Sequence, residues 1–363
     1  MTDLLVIGGG PAGLATAIRA RLAGLTVTVL DRARPPIDKA CGEGLMPDAV
    51  KRLREIGIEP RGFPFRGIRY IDGNLMAEGH FPGSGGLGVR RTELHAALVR
   101  RAEQVGVDLR WGVKAEGLTD EGVRTDQGIL AARWIVGADG LRSQVRRWAR
   151  LDGKLSPLRR FGIRRHFAVT PWSDCVEVHW GPESEAYVTP VSSDEVGIAV
   201  LWSGQKAGFD GLLESFPTLK EKVENAPVAS RDRGMGPLRQ QVRAVINGRV
   251  ALVGDAAGYL DAITGEGLAV TLQESAALVE ALTRGDLSRY SAAHRRINRL
   301  PNFMTSMVLG LERRPRLRRR VLRALAAEPS LFARLLGIHA RTLPPRDFGF
   351  EGALRLAWRL VAA

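Results

Sequence analysis

Apolar and polar positions along the chain follow two regimes. In the first, short runs are apolar without interruption, the pattern of strands buried on both faces of a parallel sheet. Leu4-Leu5-Val6-Ile7, Thr26-Val27-Thr28-Val29-Leu30, Trp134-Ile135-Val136-Gly137-Ala138 and Val250-Ala251-Leu252-Val253 are of this kind. In the second, from Phe161 to about Ser203, apolar and polar residues alternate, as in Cys175-Val176-Glu177-Val178-His179-Trp180. That alternation predicts an antiparallel sheet, one face of which can cover a substrate. Helical spacing predicts helices from Leu14 to Ala23, Pro47 to Ile56, Arg91 to Gly106 and Glu266 to Leu282. Glu78 to Gly88 reads as a glycine-rich loop. Near the end, Leu317, Val321, Leu322 and Leu325 share one helical face; Pro329 interrupts, and Leu331, Phe332, Leu335 and Leu336 resume it.

These regimes divide the chain. They predict a discontinuous α/β domain of residues 1–75, 89–160 and 235–285, and an inserted antiparallel-sheet domain of 161–234 with part of 62–88. A helical region, 286–363, follows. A chain of 363 residues is long enough for two domains. Only Cys41 and Cys175 are available as thiols, so neither a disulfide framework nor a metal site is expected, which fits a reducing cytoplasm. The first buried strand starts within a few residues of Met1, the pattern of a chain without a signal peptide. No apolar run reaches the roughly 18 residues that span a bilayer.

Charge changes the picture at one end only. The formal net charge is +14, but Arg284 to Ala363 carries seventeen Arg against five Asp and Glu, leaving the rest nearly balanced. Such a region can meet anionic headgroups or nucleic-acid phosphates. No zinc-finger, RRM or helix-turn-helix pattern supports nucleic acid, which is not expected as a partner. Two readings remain open: an interfacial helix with leucines in lipid and arginines at headgroups, or leucines packed on the protein beneath a solvated arginine surface.

The chemistry starts at Gly8-Gly9-Gly10-Pro11-Ala12-Gly13, which fits G-x-G-x-x-G between a buried strand and a helix. Gly8 permits the tight turn, Gly10 lets backbone approach a pyrophosphate, and Gly13 lets helix and strand pack closely. The helix N-terminus offers unpaired N–H groups to phosphate. Asp31, ending the second strand, can bond a ribose. A second G-x-G-x-x-G at Gly83–Gly88 lacks a preceding strand and reads as a loop rather than a nucleotide site. Two further blocks accompany the first: Ile135-Val136-Gly137-Ala138-Asp139-Gly140 with Arg142, Ser143 and Arg146, and Val250-Ala251-Leu252-Val253-Gly254-Asp255-Ala256-Ala257-Gly258.

In that order, the three blocks resemble the flavoproteins of p-hydroxybenzoate hydroxylase fold, a group of aromatic and polyketide hydroxylases, flavin halogenases and geranylgeranyl reductases. The resemblance implies a Rossmann-type FAD-binding domain, with NAD(P)H as reductant. It is nearest to the geranylgeranyl reductases through the loop Cys41-Gly42-Glu43-Gly44. Carried over by motif, Gly8, Gly10, Ala12 and Gly13 form the cofactor turn, with Asp31 and Arg32 at the ribose. Cys41, Gly42 and Gly44 would line the flavin, Arg91 would reach it from its helix, and Ala115 would meet the adenosine end through backbone. Asp139 belongs to the cofactor set, Asp255 would bond the ribityl chain, and Gly267 and Leu268 would offer helix-end N–H groups to the flavin pyrimidine. Asp255 read by itself could instead cap a helix. Cys41 and Glu266 are the catalytic candidates, against readings as a small buried hydrophobe and an exposed first-turn residue.

A flavin in this scaffold supports either hydroxylation with molecular oxygen or hydride transfer to a carbon–carbon double bond. Cys41–Gly44 and Thr264-Gly265-Glu266-Gly267 speak for the reductase. Against it, Tyr187 and Thr189 stand where lipid reductases carry a W-x-F-P wall; Ala262 replaces a proline usual in both branches. Gly258 stands where many hydroxylases have histidine, and no W-x-W-x-I-P halogenase segment is present. The balance of motifs gives, as the leading expectation, a monooxygenase acting on a small hydrophobic polyketide, phenolic or isoprenoid substrate. The double-bond reductase is the alternative, and a flavin-binding module without turnover is the reading of another class.

Overall fold

The uninterrupted apolar runs lie side by side in the computed structural model, which describes residues 1–154, 159–205, 207–349, 352, 354, 355, 358 and 359. Thr2–Ile7 sits at the centre of a parallel array, between Val27–Asp31 and Gly128–Gly137. Asp108–Trp111 extends the array beyond the second strand, and Val250–Leu252 extends it on the other side. Helices Pro11–Leu22, Arg91–Gln104 and Gly267–Thr283 cover its faces, and Leu4, Leu5, Val6, Leu14, Ile18 and Leu98 pack there almost without exposure. Gly13 permits the close helix–strand approach, since a Cβ there would collide with the Gly8 carbonyl oxygen. The chain is an α/β protein of Rossmann type with an antiparallel-rich second layer.

That second layer is a seven-stranded sheet. Its order is Arg233–Met235, Arg160–Phe167, Val196–Ser203, Ser184–Pro190, Cys175–Gly181, Gly67–Asp72 and Leu75–His80. Every pairing is antiparallel except Cys175–Gly181 with Gly67–Asp72. The alternating strand Cys175–Gly181 is buried at every residue. The reason is that both faces are covered. Ala186, Val188, Ile198 and Val200 meet the short helices Phe209–Leu213 and Pro217–Val223. The opposite face, with Val176, Val178 and Leu201, looks toward the first domain and the C-terminal helices.

One expectation is corrected, and one open choice of packing is answered. The segment from Glu78 to Gly88 is not simply a loop. Leu75–His80 is an edge strand, and Gly86–Gly88 is the middle strand of a small sheet with Gly44–Leu45 and Phe63–Phe65. Its glycines serve packing: a Cβ at Gly88 would strike the Pro190 carbonyl, and one at Gly86 the Phe65 ring. Most of the C-terminal stripe points inward, as in the second of the two open readings, while Leu317 stays exposed. After the long helix Ser288–Glu312, helices Pro315–Ala327 and Pro329–His339 lie on the edge strand Leu75–His80. Leu322, Leu325, Leu331, Phe332 and Leu336 are buried there, with Phe332 stacked on Tyr70 at 5.7 Å between ring centres. Arg318 is buried as well; its Nε lies 2.8 Å from Asp72 Oδ2 and its guanidinium 5.0 Å from the Trp180 ring. This stripe therefore covers the sheet, not lipid. Among the described residues no helix is long and apolar enough to cross a membrane.

Candidate active site

The two layers enclose a cavity that runs from the first glycine turn to the inner face of the seven-stranded sheet. At the turn, Gly8 has φ +111°, and a Cβ on it would run into the backbone of Ala138 and Asp139. Only glycine fits there. Gly10 precedes helix Pro11–Leu22 with no side-chain cap, and Gly10, Pro11 and Ala12 line the cavity, so this helix N-terminus borders it uncapped. The nearest atom to a Cβ on Gly10 is Arg91 Nη2, at 3.7 Å. Ala12 lines the same opening. Asp31 is held across the turn: its Oδ2 accepts from Gly9 N at 2.8 Å and its Oδ1 from Ala33 N at 2.8 Å. Arg32 is exposed beside it. Ala115 opens the strand Ala115–Leu118 and is absent from the cavity wall. The neighbouring Gly112 and Val113 donate to the Asp31 carbonyl instead.

Arg91 starts its helix inside the cavity. Its Nε is buried without a hydrogen-bond partner, while its backbone N donates to Glu43 Oε1 at 2.7 Å. A buried guanidinium nitrogen without an acceptor marks a place for an anionic or carbonyl oxygen. Cys41, Gly42 and Gly44 form the facing wall, and a Cβ at Gly42 would meet nothing within 4 Å. Burial pushes the Cys41 thiol up from its ordinary value, with the nearby Arg91 charge opposing, so the thiol form is favoured. Asp255 sits in the single-turn 3₁₀ segment Gly254–Ala257, fixed by Glu274 Oε2, which accepts from Gly254 N at 2.8 Å. Burial raises its carboxyl too, against Arg91 and Lys39. Gly267 and Leu268 start helix Gly267–Thr283 at the cavity edge. An orphaned arginine nitrogen, an open glycine turn, a second helix N-terminus and a buried acid form a donor and acceptor set that fits FAD.

Two sequence candidates have other surroundings than expected. Asp139 accepts from Ser143 Oγ at 2.5 Å and from Gln144 N at 2.7 Å, so its carboxylate caps the short helix Gln144–Trp148. The same helix carries Arg146, which reaches the Ala256 carbonyl at 3.3 Å and so ties the second sequence block to the third. Glu266 is buried, not exposed, and faces a second, more polar cavity behind the Thr264–Gly267 loop. His339 Nδ1, from the last long helix, lies 3.3 Å from Glu266 Oε2. Burial raises the Glu266 carboxyl, with His339 and Arg341 opposing. Its position joins the C-terminal helices to the loop, away from the first cavity.

Sequence reading missed four buried polar groups. His95 is fully buried, and its Nε2 pins the Gly9 carbonyl at 2.8 Å. Arg160 holds the cavity-lining Asp261 at 2.8 Å in a cluster with Glu185 and with Glu312 at 3.0 Å. Arg164 pairs with Asp38 at 2.5 Å, and His166 Nε2 lies 2.5 Å from Glu43 Oε2. One signal was present: Arg160, Arg164 and His166 fall at even spacing in a strand whose odd positions include Phe161 and Ile163. Polar residues that share a face there are the inward ones.

Comparison with known proteins agrees with this geometry. The family described as FAD binding domain matches residues 1–194. The menaquinone reductase of Mycolicibacterium smegmatis is 28% identical over 323 residues, covering 80% of this chain and 78% of that protein. The digeranylgeranylglycerophospholipid reductase of Methanosarcina acetivorans is 28% identical over 315 residues, covering 79% and 77%. Among solved structures, a flavoprotein/dehydrogenase from Cytophaga hutchinsonii superposes with TM-score 0.82 at 18% identity, covering 95% of this chain and 94% of that one. A flavin-dependent brominase superposes with TM-score 0.80 at 18% identity, covering 99% and 98%. At such identities the structures speak for the fold.

Proposed function

The chain belongs to the FAD binding domain family and is an FAD-dependent oxidoreductase, and we propose that it reduces a carbon–carbon double bond in a polyisoprenoid chain. The observation that carries this reading is the cavity between the Cys41–Gly44 loop and the sheet. Its wall includes Ile68, Val176, Val178, Leu201 and Leu238, a surface suited to hydrocarbon, alongside charged groups such as Glu43, Arg91, Asp255 and Asp261. Apolar burial of a chain there yields about 25 cal/mol per Å². The two relatives' names share one chemical element, an isoprenoid chain, and in a digeranylgeranyl lipid the double bonds are what a hydride can reduce. This reading reverses the monooxygenase lean of the motifs, which rested on the Tyr187 and Thr189 departures. In the structure, Tyr187 turns its hydroxyl to the Ile263 carbonyl at 2.8 Å and Thr189 its hydroxyl to Gly42 at 2.8 Å, so both present largely apolar surface inward.

FAD, when bound and reduced by NAD(P)H, would supply the hydride. The protein's residues hold the cofactor, exclude water and align the chain. The hydrocarbon chain enters from a membrane surface met by the C-terminal helices. The decisive experiment reduces the holoprotein without oxygen and then mixes it with a polyprenyl lipid. Return of flavin colour, with two hydrogens gained by the lipid, supports the proposal. Colour that returns only with oxygen, with an oxygen atom in the product, establishes the monooxygenase. No colour change with either leaves a binding module.

A further inference from the structure

One connected set of buried groups leads from the cavity to the outside. Glu43 lines the cavity between Gly42 and Gly44, is 3% exposed, and holds φ +59°, a conformation unusual for a glutamate. Its Oε1 accepts from Arg91 N, and its Oε2 lies 2.5 Å from Nε2 of His166, which is wholly buried. The other imidazole nitrogen continues the line: Nδ1 is 2.7 Å from Ser230 Oγ. Ser230 lines a shallow hollow on the outer surface with Val228, Arg231 and Asp232. A clamp for the Arg91 backbone would need only the carboxylate. An imidazole bonded at both nitrogens, between a cavity carboxylate and a surface hydroxyl, is a path for protons.

We propose that Ser230, His166 and Glu43 form a relay that carries protons from the outer hollow into the substrate cavity. The inference rests on the double-bond reductase reading, because that reaction consumes a proton for each hydride. The balance is simple. The hydride forms a C–H bond at one carbon, taking the electron pair from reduced FAD, which returns to the oxidised state. The Glu43 O–H bond breaks and its proton forms the C–H bond at the other carbon. His166 Nε2 gives its proton to Glu43, and Nδ1 takes one from Ser230. Solvent water at the hollow replaces that one and is left as hydroxide outside. A turn of the imidazole about Cβ–Cγ brings its proton back to the Glu43 side for the next cycle. Net consumption is one hydride and one solvent proton per double bond.

The surroundings set the starting tautomer. Arg164 Nη1 donates toward His166 Nδ1 at 3.0 Å and Ser230 Oγ at 3.3 Å, and Arg164 Nη2 is 3.9 Å from Glu43 Oε1. The imidazole therefore starts with Nδ1 as an acceptor and its proton on Nε2, toward Glu43. The Arg164 charge is shared with Asp38, which also takes Arg233 at 3.0 Å. On the cavity side, Arg91 and Cys41 face Glu43, and Lys39 lies on the same loop. On the outer side, Arg165 is held by Asp210 and Asp232, which keeps its charge on the surface. The only basic nitrogens in the line are those of the imidazole.

The test uses holoprotein, first without substrate. Bound flavin is reduced by a photochemical electron donor while a pH-indicator dye follows proton uptake. In the natural protein uptake keeps pace with bleaching. Glu43→Gln keeps the shape of the clamp but carries no proton, and should delay uptake on the order of a hundredfold. Ser230→Ala, a milder change that keeps the buried pair, should delay it as well, and Ser230→Thr should restore it. With a polyprenyl lipid, the solvent isotope effect should rise in the same variants. Uptake in step with bleaching in both Glu43→Gln and Ser230→Ala overturns the relay, whatever the lipid does. Delayed uptake without lipid turnover keeps the relay and overturns the reductase reading.

Discussion

Single side chains decide the cofactor and the titration behaviour. Arg91 brings a buried, unpartnered Nε to the glycine turn, whereas Leu94 and Leu98 pack its helix without it. A hydrogen bond to a charged group contributes about 1.5–3 kcal/mol. Arg91→Ala should therefore weaken FAD binding roughly ten- to a hundredfold, read by fluorescence titration of apoprotein, with apoprotein melting little changed. An equal loss of apoprotein stability would reveal a structural role. Glu185 gives a second test. Burial raises its carboxyl to about 8, from an ordinary 4.5, with Arg160 opposing and Asp261 and Glu312 adding to the rise. One guanidinium among three carboxylates leaves a proton as the natural balance. Between those two values the folded protein keeps a proton that the unfolded chain has lost. The site's stabilisation is thus complete below about 4.5 and is lost as pH climbs through about 8. Urea midpoints should fall between about pH 4.5 and about pH 8 and level off above, and Glu185→Gln, neutral throughout, should flatten that slope. A slope unchanged by the substitution would assign it elsewhere.

Elements differ in how far the sequence discloses them. The strand, glycine turn, helix, strand and acid from Leu4 to Asp31 were legible because all their partners are local or implied by continuous burial. The small sheet around Gly86–Gly88 was not, because its strands are two or three residues long and rich in glycine. Nor was the Glu43–His166 pair, whose members are 123 residues apart. The C-terminal helices show a third limit. An apolar stripe at helical spacing is the same whether it meets lipid or protein, and only the edge strand Leu75–His80, with Gly79 leaving room for Phe332 and Leu336, settles it. This packing has a measurable consequence. Phe332→Ala should lower stability by about 3–5 kcal/mol, as a buried aromatic removed from a core does. A change under about 1 kcal/mol, within the range of surface substitutions, would mean the helices are loosely held.

At the scale of the molecule, part of the arginine surplus shares the C-terminal helices with three exposed apolar residues. Phe303 and Met307, 59% and 44% exposed, are one turn apart on the helix Ser288–Glu312. Leu317, 38% exposed, opens the next helix, and Arg299, Arg313, Arg314, Arg316 and Arg320 are exposed around them. Asn302 and Ser306, on the same helix, line the polar second cavity, which shares Asp261 and Thr264 with the first. A surface of this composition suits an anionic membrane, with Phe303 and Met307 among the acyl chains and arginines at headgroups, each contributing about 1 kcal/mol before screening. A lipid-borne substrate would then arrive next to an opening that leads inward. Arg318, bonded to Asp72, takes no part. Purified protein should co-sediment with vesicles of anionic lipid, and less so as salt rises. Replacing Arg313, Arg314 and Arg316 with Gln should weaken that binding and flatten its salt dependence. Changing Phe303 and Met307 to Ser should weaken binding while the salt dependence stays. Equal sedimentation with neutral and anionic vesicles, or none with either, would sink the membrane reading and leave the arginines as a solvated face.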